Sequence, residues 1–193
     1  MPSTQRYPQC FLKLVALDHS ETALVVFNQA VELAKATDAH LMLLHILSTD
    51  DQDAPEVPTT FPSMYYYPGL SATSIEMYQK QWETYKQTAS DILKTQVEAA
   101  QLAGVAVQAT QQEGSPGQII CEMAKNWDAD LILLGSRGRV GLSEWLLGSV
   151  SNHVMHHAPC SVLVSRVADP RQSNPSVPDH LNRQLISNLG GWQ

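Results

Sequence analysis

The sequence predicts an α/β protein in which a mostly parallel β-sheet is covered on both faces by helices, a three-layer α/β/α sandwich. Short, nearly continuous apolar runs alternate with longer stretches of helical periodicity, starting on a strand at residue 11 and closing on one at residue 166. Strands without a polar face must be buried on both sides, which parallel sheets with right-handed crossover helices achieve. Length bounds the size: 193 residues, 44% hydrophobic and 16% charged, supply one well-buried core and not two.

FLKLVALD (11–18) is the first apolar run and ends on an acid. Ser20 follows as a candidate N-cap with Glu21 in the first turn, so the reading is strand, tight turn, helix. In that helix Ala23, Val26, Phe27, Ala30, Val31 and Ala34 keep the rhythm of a single buried face. HLMLLHIL (40–47) is the second strand, flanked by His40 and His45, which read as structural. From Ser48 to about Ser71 prolines and acids sustain neither period, which predicts a long excursion. Tyr78, Trp82, Tyr85, Ala89 and Ile92 then share one face of a long helix that reaches Leu102 and is capped by Gly104.

VAVQATQQ (105–112) alternates apolar and polar, which suits a strand near a sheet edge. Ser115-Pro116-Gly117-Gln118 reads as a capping box opening the third helix, with Ile119, Ile120, Met123, Ala124 and Trp127 facing inward. ADLILLG (129–135) is the fourth strand. A helix from about Gly148 to His157 leads through Pro159 into CSVLVSR (160–166), the fifth. Beyond Arg166 the composition turns polar and proline-bearing, so the domain is read as residues 1–168 and a tail as 169–193. Leu181, Leu185 and Leu189 would line a short docking helix in that tail; the alternative is a disordered tail.

A net charge of −7, with 12 Lys and Arg, excludes a broad nucleic-acid surface, because neutralising phosphates needs clustered cations. No apolar run approaches the ~18 to 20 residues of a membrane span, and MPSTQRYPQC lacks the basic-then-apolar order of a signal peptide. A cytoplasmic protein is expected. Cys10, Cys121 and Cys160 form no metal-spaced pair and read as small buried hydrophobes. His153, His156 and His157 have a spacing able to surround a metal, but read first as residues of a helix end, with no metal site expected.

The stretch LLGSRGRVGLSEWLLGSVSNHV (133–154) carries the candidate chemistry. In an open parallel sheet, ligands sit beyond the carboxyl ends of the strands, where helix N-termini expose unpaired N–H groups and partial positive charge. Gly135 and Gly138 would let the backbone take positive φ and approach a ligand without a Cβ in the way. The hydroxyls of Ser149 and Ser151 fall in the first turn of the next helix. Neither a Walker loop nor a G-x-G-x-x-G fingerprint is present, so these residues alone leave a phosphate cradle and a structural turn both open.

Gly135, Gly138, Gly148 and Ser149, spaced G-x-x-G, nine residues, G-[ST] behind the strand DLILLG, resemble the ATP-binding signature of the universal stress protein family. LVALDHSETA, HLMLLHIL, EGSPGQIICEMA and APCSVLVSR resemble that family in the same order. The resemblance implies a Rossmann-like sheet of five parallel strands in order 3-2-1-4-5, with a nucleotide at the switch point between strands one and four. It implies ATP, accompanied by Mg or Mn, with AMP or another adenine nucleotide as the alternative. Carried over by position, Ala16 and Leu17 would lie along the base, Asp18 would face adenine or ribose, and Ile46 would meet adenine through its backbone. Leu134, Gly135, Arg137 and Gly138 would border ribose and phosphates, and Gly148, Ser149, Val150 and Ser151 would offer amides and hydroxyls to the triphosphate.

Two positions depart from the family's pattern: Ala16-Leu17 stands where a small polar residue often precedes the acid, and Arg137 where histidine is common. Cys160 to Arg166, an apolar edge, would pair with its copy in a homodimer, as family members commonly do. The function implied is that of an ATP-binding regulatory module of the stress response, read by a protein partner that the sequence does not identify. Two alternatives stand beside it. One is an ATP-hydrolysing or adenylyl- or phosphoryl-transferring enzyme, with Asp18 and Glu144 as the candidate groups. The other is a nucleotide-free scaffold acting through patches such as MYYYPG.

Overall fold

The computed structural model describes residues 11–18, 20–49, 51, 53–56, 68–136 and 147–166. The chain alternates β1 (Leu12–Leu17), α1 (Glu21–Thr37), β2 (His40–Leu47), α2 (Pro68–Leu102), β3 (Val107–Glu113), α3 (Pro116–Asn126), β4 (Leu131–Gly135), α4 (Ser149–His157) and β5 (Ser161–Ser165). The strands form one sheet in the order β3-β2-β1-β4-β5, with every pairing parallel. This is the predicted 3-2-1-4-5 arrangement, with β3 and β5 at the edges.

Period-two alternation distributes the strand side chains between two helical layers. Val15, Leu17, Leu41, Leu43 and Leu133 meet Val26, Phe27 and Ala30 of α1 and Leu93 and Ala100 of α2. Leu14, Met42, Leu44, Ile46, Ile132 and Leu134 meet Ile120 and Ala124 of α3 and Val154 of α4. In β2 every residue after His40 is buried, as a central strand covered on both faces requires. All six residues predicted for the inner face of α1 are buried.

Three local expectations are corrected. The excursion ends earlier than Ser71, because α2 already begins at Pro68. Ile92 is 39% exposed and Leu93, one position and about 100° further around the helix, takes its place in the core. Ser20 and Ser115 occupy N-cap positions with extended backbone, yet neither side chain caps its helix, so the box expected at Ser115 does not close. Pro116, whose ring presets the helical φ, opens α3 instead. At the far end of α2 the capping role of Gly104 is as expected. Its φ is +79°, its N–H donates to Gln101 O at 2.9 Å, and Val105 N–H donates to Ala100 O at 3.0 Å.

Lys13 interrupts the apolar run of β1 and is nevertheless 4% exposed. Its Nζ donates to Leu33 O at 2.7 Å and to Thr37 Oγ1, placing an ammonium on the negative end of α1. Burial holds its pKa below the usual lysine value.

Candidate functional site

Strand β1 turns to one side of the sheet through α1, and β4 turns to the other through α4, so a crevice opens between their carboxyl ends. The cleft there is lined by Ala16, Leu17, Asp18 and Ala23, by Ile46 and Asp51, by Pro116 and Ile120, and by Leu134, Gly135 and Gly148 to Ser151. The cleft has a cavity volume of about 90 Å³ and opens to solvent at its mouth. Ten of the twelve residues singled out from the sequence thus converge on one surface. The other two, Arg137 and Gly138, lie outside the described residues, as do Glu144, the tail 169–193 and Cys10.

Each wall has its own chemistry. Ala16, Ile46, Ile120 and Leu134 come from elements whose other contacts form the α3 and α4 side of the core, and they give the cleft an apolar floor. At one end, α4 starts behind Gly148, whose ψ of 160° is still extended. The N–H groups of Ser149, Val150 and Ser151 fall in the first helical turn and have no carbonyl four residues back within the helix. The first such bond here is Asn152 N–H to Gly148 O at 2.9 Å. Those amides, together with the positive end of the helix dipole, favour an anion.

Toward β1 and β2 the charge reverses. Asp18 Oδ1 accepts the Ser20 N–H at 3.0 Å and the Ser20 hydroxyl, an Asx turn that fixes the carboxylate between β1 and α1. Here the hydroxyl expected to cap α1 is employed. Asp51 follows β2 and lies in a turn made by Asp51 N–H to Ser48 O and Ala54 N–H to Asp51 O, both 3.2 Å. Its Oδ2 accepts the Tyr85 hydroxyl at 2.7 Å. Tyr85 is buried beside Leu47 and Ala89, with Trp82 and Ala54 packed around them. Burial first, then the bond to Asp51, push the phenol's pKa well above its usual value.

Two glycine and serine roles differ from expectation. Gly135 does not take positive φ; among the described residues the glycines that do are Gly104 and Gly114. Its missing Cβ instead admits α1, since a Cβ there would lie 2.8 Å from Thr22 Cγ2. Ser151 is 2% exposed and its hydroxyl donates to Gly148 O at 3.0 Å, so it braces the helix start rather than pointing a donor outward. Ser149, by contrast, is exposed.

Ala23, Asp51, Pro116 and Ile120 line the cleft and were absent from the sequence-derived set. Ile120 was legible as an inward residue of α3, but nothing in its periodicity separates floor from core. Asp51 carried no signal beyond an acid in an irregular stretch.

Among the described residues the histidines and cysteines serve the fold. His45 Nδ1–H donates to the Leu17 carbonyl at 3.0 Å, tying the ends of β2 and β1. His153 packs against Gly117, where a Cβ would sit 2.8 Å from its ring, and stacks on His157 at 4.2 Å. Among the described residues no group of three His, Cys, Asp or Glu is placed to hold a metal ion. Cys121 and Cys160 are half-buried beside the α3 and α4 core, and burial pushes both thiols up. No described helix is long and apolar enough to cross a membrane.

Residues 13–166 match the universal stress protein family. A universal stress protein of Synechocystis sp. is 42% identical over 152 residues, covering 78% of this chain and 94% of that protein. Among solved structures, a universal stress protein from Lactobacillus plantarum superposes with a TM-score of 0.60 at 23% identity, covering 83% of this chain and all (100%) of that one. A universal stress protein in complex with cAMP gives a TM-score of 0.53 at 20% identity, covering 82% of this chain and 98% of that one. An Arabidopsis thaliana family protein with AMP bound gives 0.53 at 18% identity, covering 86% and 97%. The structural likenesses establish the Rossmann-like fold, and the sequence match over most of the chain establishes the kinship: this protein belongs to the universal stress protein family.

Proposed function

We propose that the cleft binds an adenine nucleotide, ATP first among them, and that the bound and free states make the protein a regulatory module of the stress response. What supports this reading most is the convergence at the switch point: residues from β1, β2, β4 and α4, far apart in sequence, line one crevice whose charge runs from carboxylates to the first-turn amides of α4. An anion is repelled by Asp18 and Asp51 and attracted by the start of α4, so the triphosphate belongs at Gly148 to Ser151 and the nucleoside toward β1 and β2. The apolar floor of Ala16, Ile46, Ile120 and Leu134 suits the base and ribose. That two structurally similar family proteins carry cAMP and AMP favours adenine over other bases.

In this reading Gly148, Ser149, Val150 and Ser151 hold phosphate oxygens through backbone N–H groups, with Arg137 and Gly138 bordering the same phosphates. Mg or Mn would accompany the phosphates and screen their charge from the two carboxylates. Leu17 lies along the base with Ala16, and Asp18 faces the adenine or the ribose. Binding rather than turnover is proposed, because both acids of the cleft already hold hydrogen bonds within the protein, Asp18 from Ser20 and Asp51 from Tyr85. We propose further that β5, an edge strand, pairs with its copy across a two-fold axis in a homodimer.

Calorimetric titration with Mg-ATP, followed by a phosphate-release assay on the same sample, tests the proposal. Saturable binding near one nucleotide per chain without release is the expected result. Rapid release would make the protein an ATPase, and absence of binding would leave a nucleotide-free scaffold.

A further inference from the structure

We infer that Asp51 reads the base: its carboxylate is the acceptor that selects a nucleobase bearing an exocyclic amino group over one bearing a carbonyl at the same position. The inference rests on the nucleotide reading of the cleft and adds to it a specificity residue and its support. Across the sheet the lining residues follow the order β2 (Ile46), β1 (Ala16, Leu17), β4 (Leu134, Gly135) and then α4. Adjacent strands are ~4.8 Å apart, so a molecule with phosphate at α4 reaches β2 with its far end, the base. Asp51 stands at that end, in the turn that follows β2.

A carboxylate presents acceptors only. An amino group at position 6 of a purine, as in adenine, donates to it. A carbonyl at the same position, as in hypoxanthine, meets it lone pair to lone pair. The position of Asp51 is set before any ligand arrives, by the two turn bonds and by the Tyr85 hydroxyl at 2.7 Å. Tyr85 in turn is held by the cluster of Leu47, Ala89, Trp82 and Ala54. Binding therefore orders little that is not already ordered, which keeps the discrimination from being lost to entropy. Tyr85 acts through Asp51 and is a positioning residue.

The test compares ATP with inosine triphosphate, which differs at position 6 and in the neighbouring ring proton, by calorimetry on wild type, Asp51→Asn and Tyr85→Phe. Wild type binds ATP more tightly than inosine triphosphate. Asp51→Asn, whose amide can donate to a carbonyl, lowers the ATP to inosine triphosphate preference by about tenfold or more, the worth of a charged hydrogen bond. Tyr85→Phe lowers the same ratio by a smaller factor, a change that a purely structural tyrosine would not produce. Equal affinities in wild type overturn the inference without any variant being needed, as does a ratio unchanged in folded Asp51→Asn. Wild type that binds neither nucleotide overturns the nucleotide reading itself, a distinct outcome from the loss of selectivity.

Discussion

Gly135 and Ser149 show how single residues of the signature divide the work. Gly135 is small for α1: a Cβ would stand 2.8 Å from Thr22 Cγ2, and the strand end would have to move away from the helix. Gly135→Ala is predicted to destabilise the fold by about 1–3 kcal/mol, the usual penalty of overpacking, measured by urea unfolding. Adding Thr22→Ser, which deletes that methyl, should recover most of the loss; two independent, additive losses would contradict the contact. At Ser149 the question is whether an amide or a hydroxyl matters. Proline fits the first helical position after the extended Gly148 and removes the amide along with the hydroxyl, whereas alanine removes the hydroxyl alone. Ser149→Pro should weaken ATP binding by about 1.5–3 kcal/mol more than Ser149→Ala, in titrations on proteins of equal thermal stability. The sequence marked both positions, because glycine and serine between a strand and a helix are locally unusual. It misassigned the reason at Gly135, since the partner is 113 residues away in the chain, at Thr22, and no local pattern encodes such a contact.

At the scale of elements, the first part of the excursion after β2 is fastened to α2 rather than left to solvent, and the fastening is the Tyr85 to Asp51 bond. Tyr85→Phe should lower stability by about 1–3 kcal/mol at neutral pH. The sign of its pH dependence follows from the raised phenol pKa. The folded state keeps a proton that the unfolded chain releases near its ordinary value of 10.0, so this contribution is complete below that pH and fades as pH rises beyond it. Unfolding curves of wild type and Tyr85→Phe should therefore converge on the alkaline side; a gap that widens there would contradict the bond. Helices and strands were legible to within a few residues because burial imposes its period on the sequence. The inner face of α1 was read in full, while Ile92 was misplaced by one position on the long, sparsely apolar α2. Lys13 within β1 and Asp51 within the excursion were not legible as partners of Leu33 and Tyr85, because each answers to a residue on another element.

For the whole molecule, periodicity gave an α/β sandwich, but the strand order came from resemblance to a family, since alternation of strands and helices fits several doubly wound orders. The switch point, and with it the cleft, follows from that order. The proposed homodimer is best probed at Leu163, 39% exposed on the edge strand, because Val162 and Val164 are packed against the α3 and α4 core and changing them would disturb the fold as well. Leu163→Asp should convert dimer to monomer in sedimentation analysis with unchanged circular dichroism; a persistent dimer would place the interface elsewhere. The cleft itself is tested most directly by a crystal structure grown with excess Mg-ATP. It should show phosphate oxygens about 3 Å from the amides of Ser149 to Ser151 and the base between Ile46 and Asp51. Density for the nucleotide on another surface, or a cleft that remains empty at saturating ATP, would contradict it.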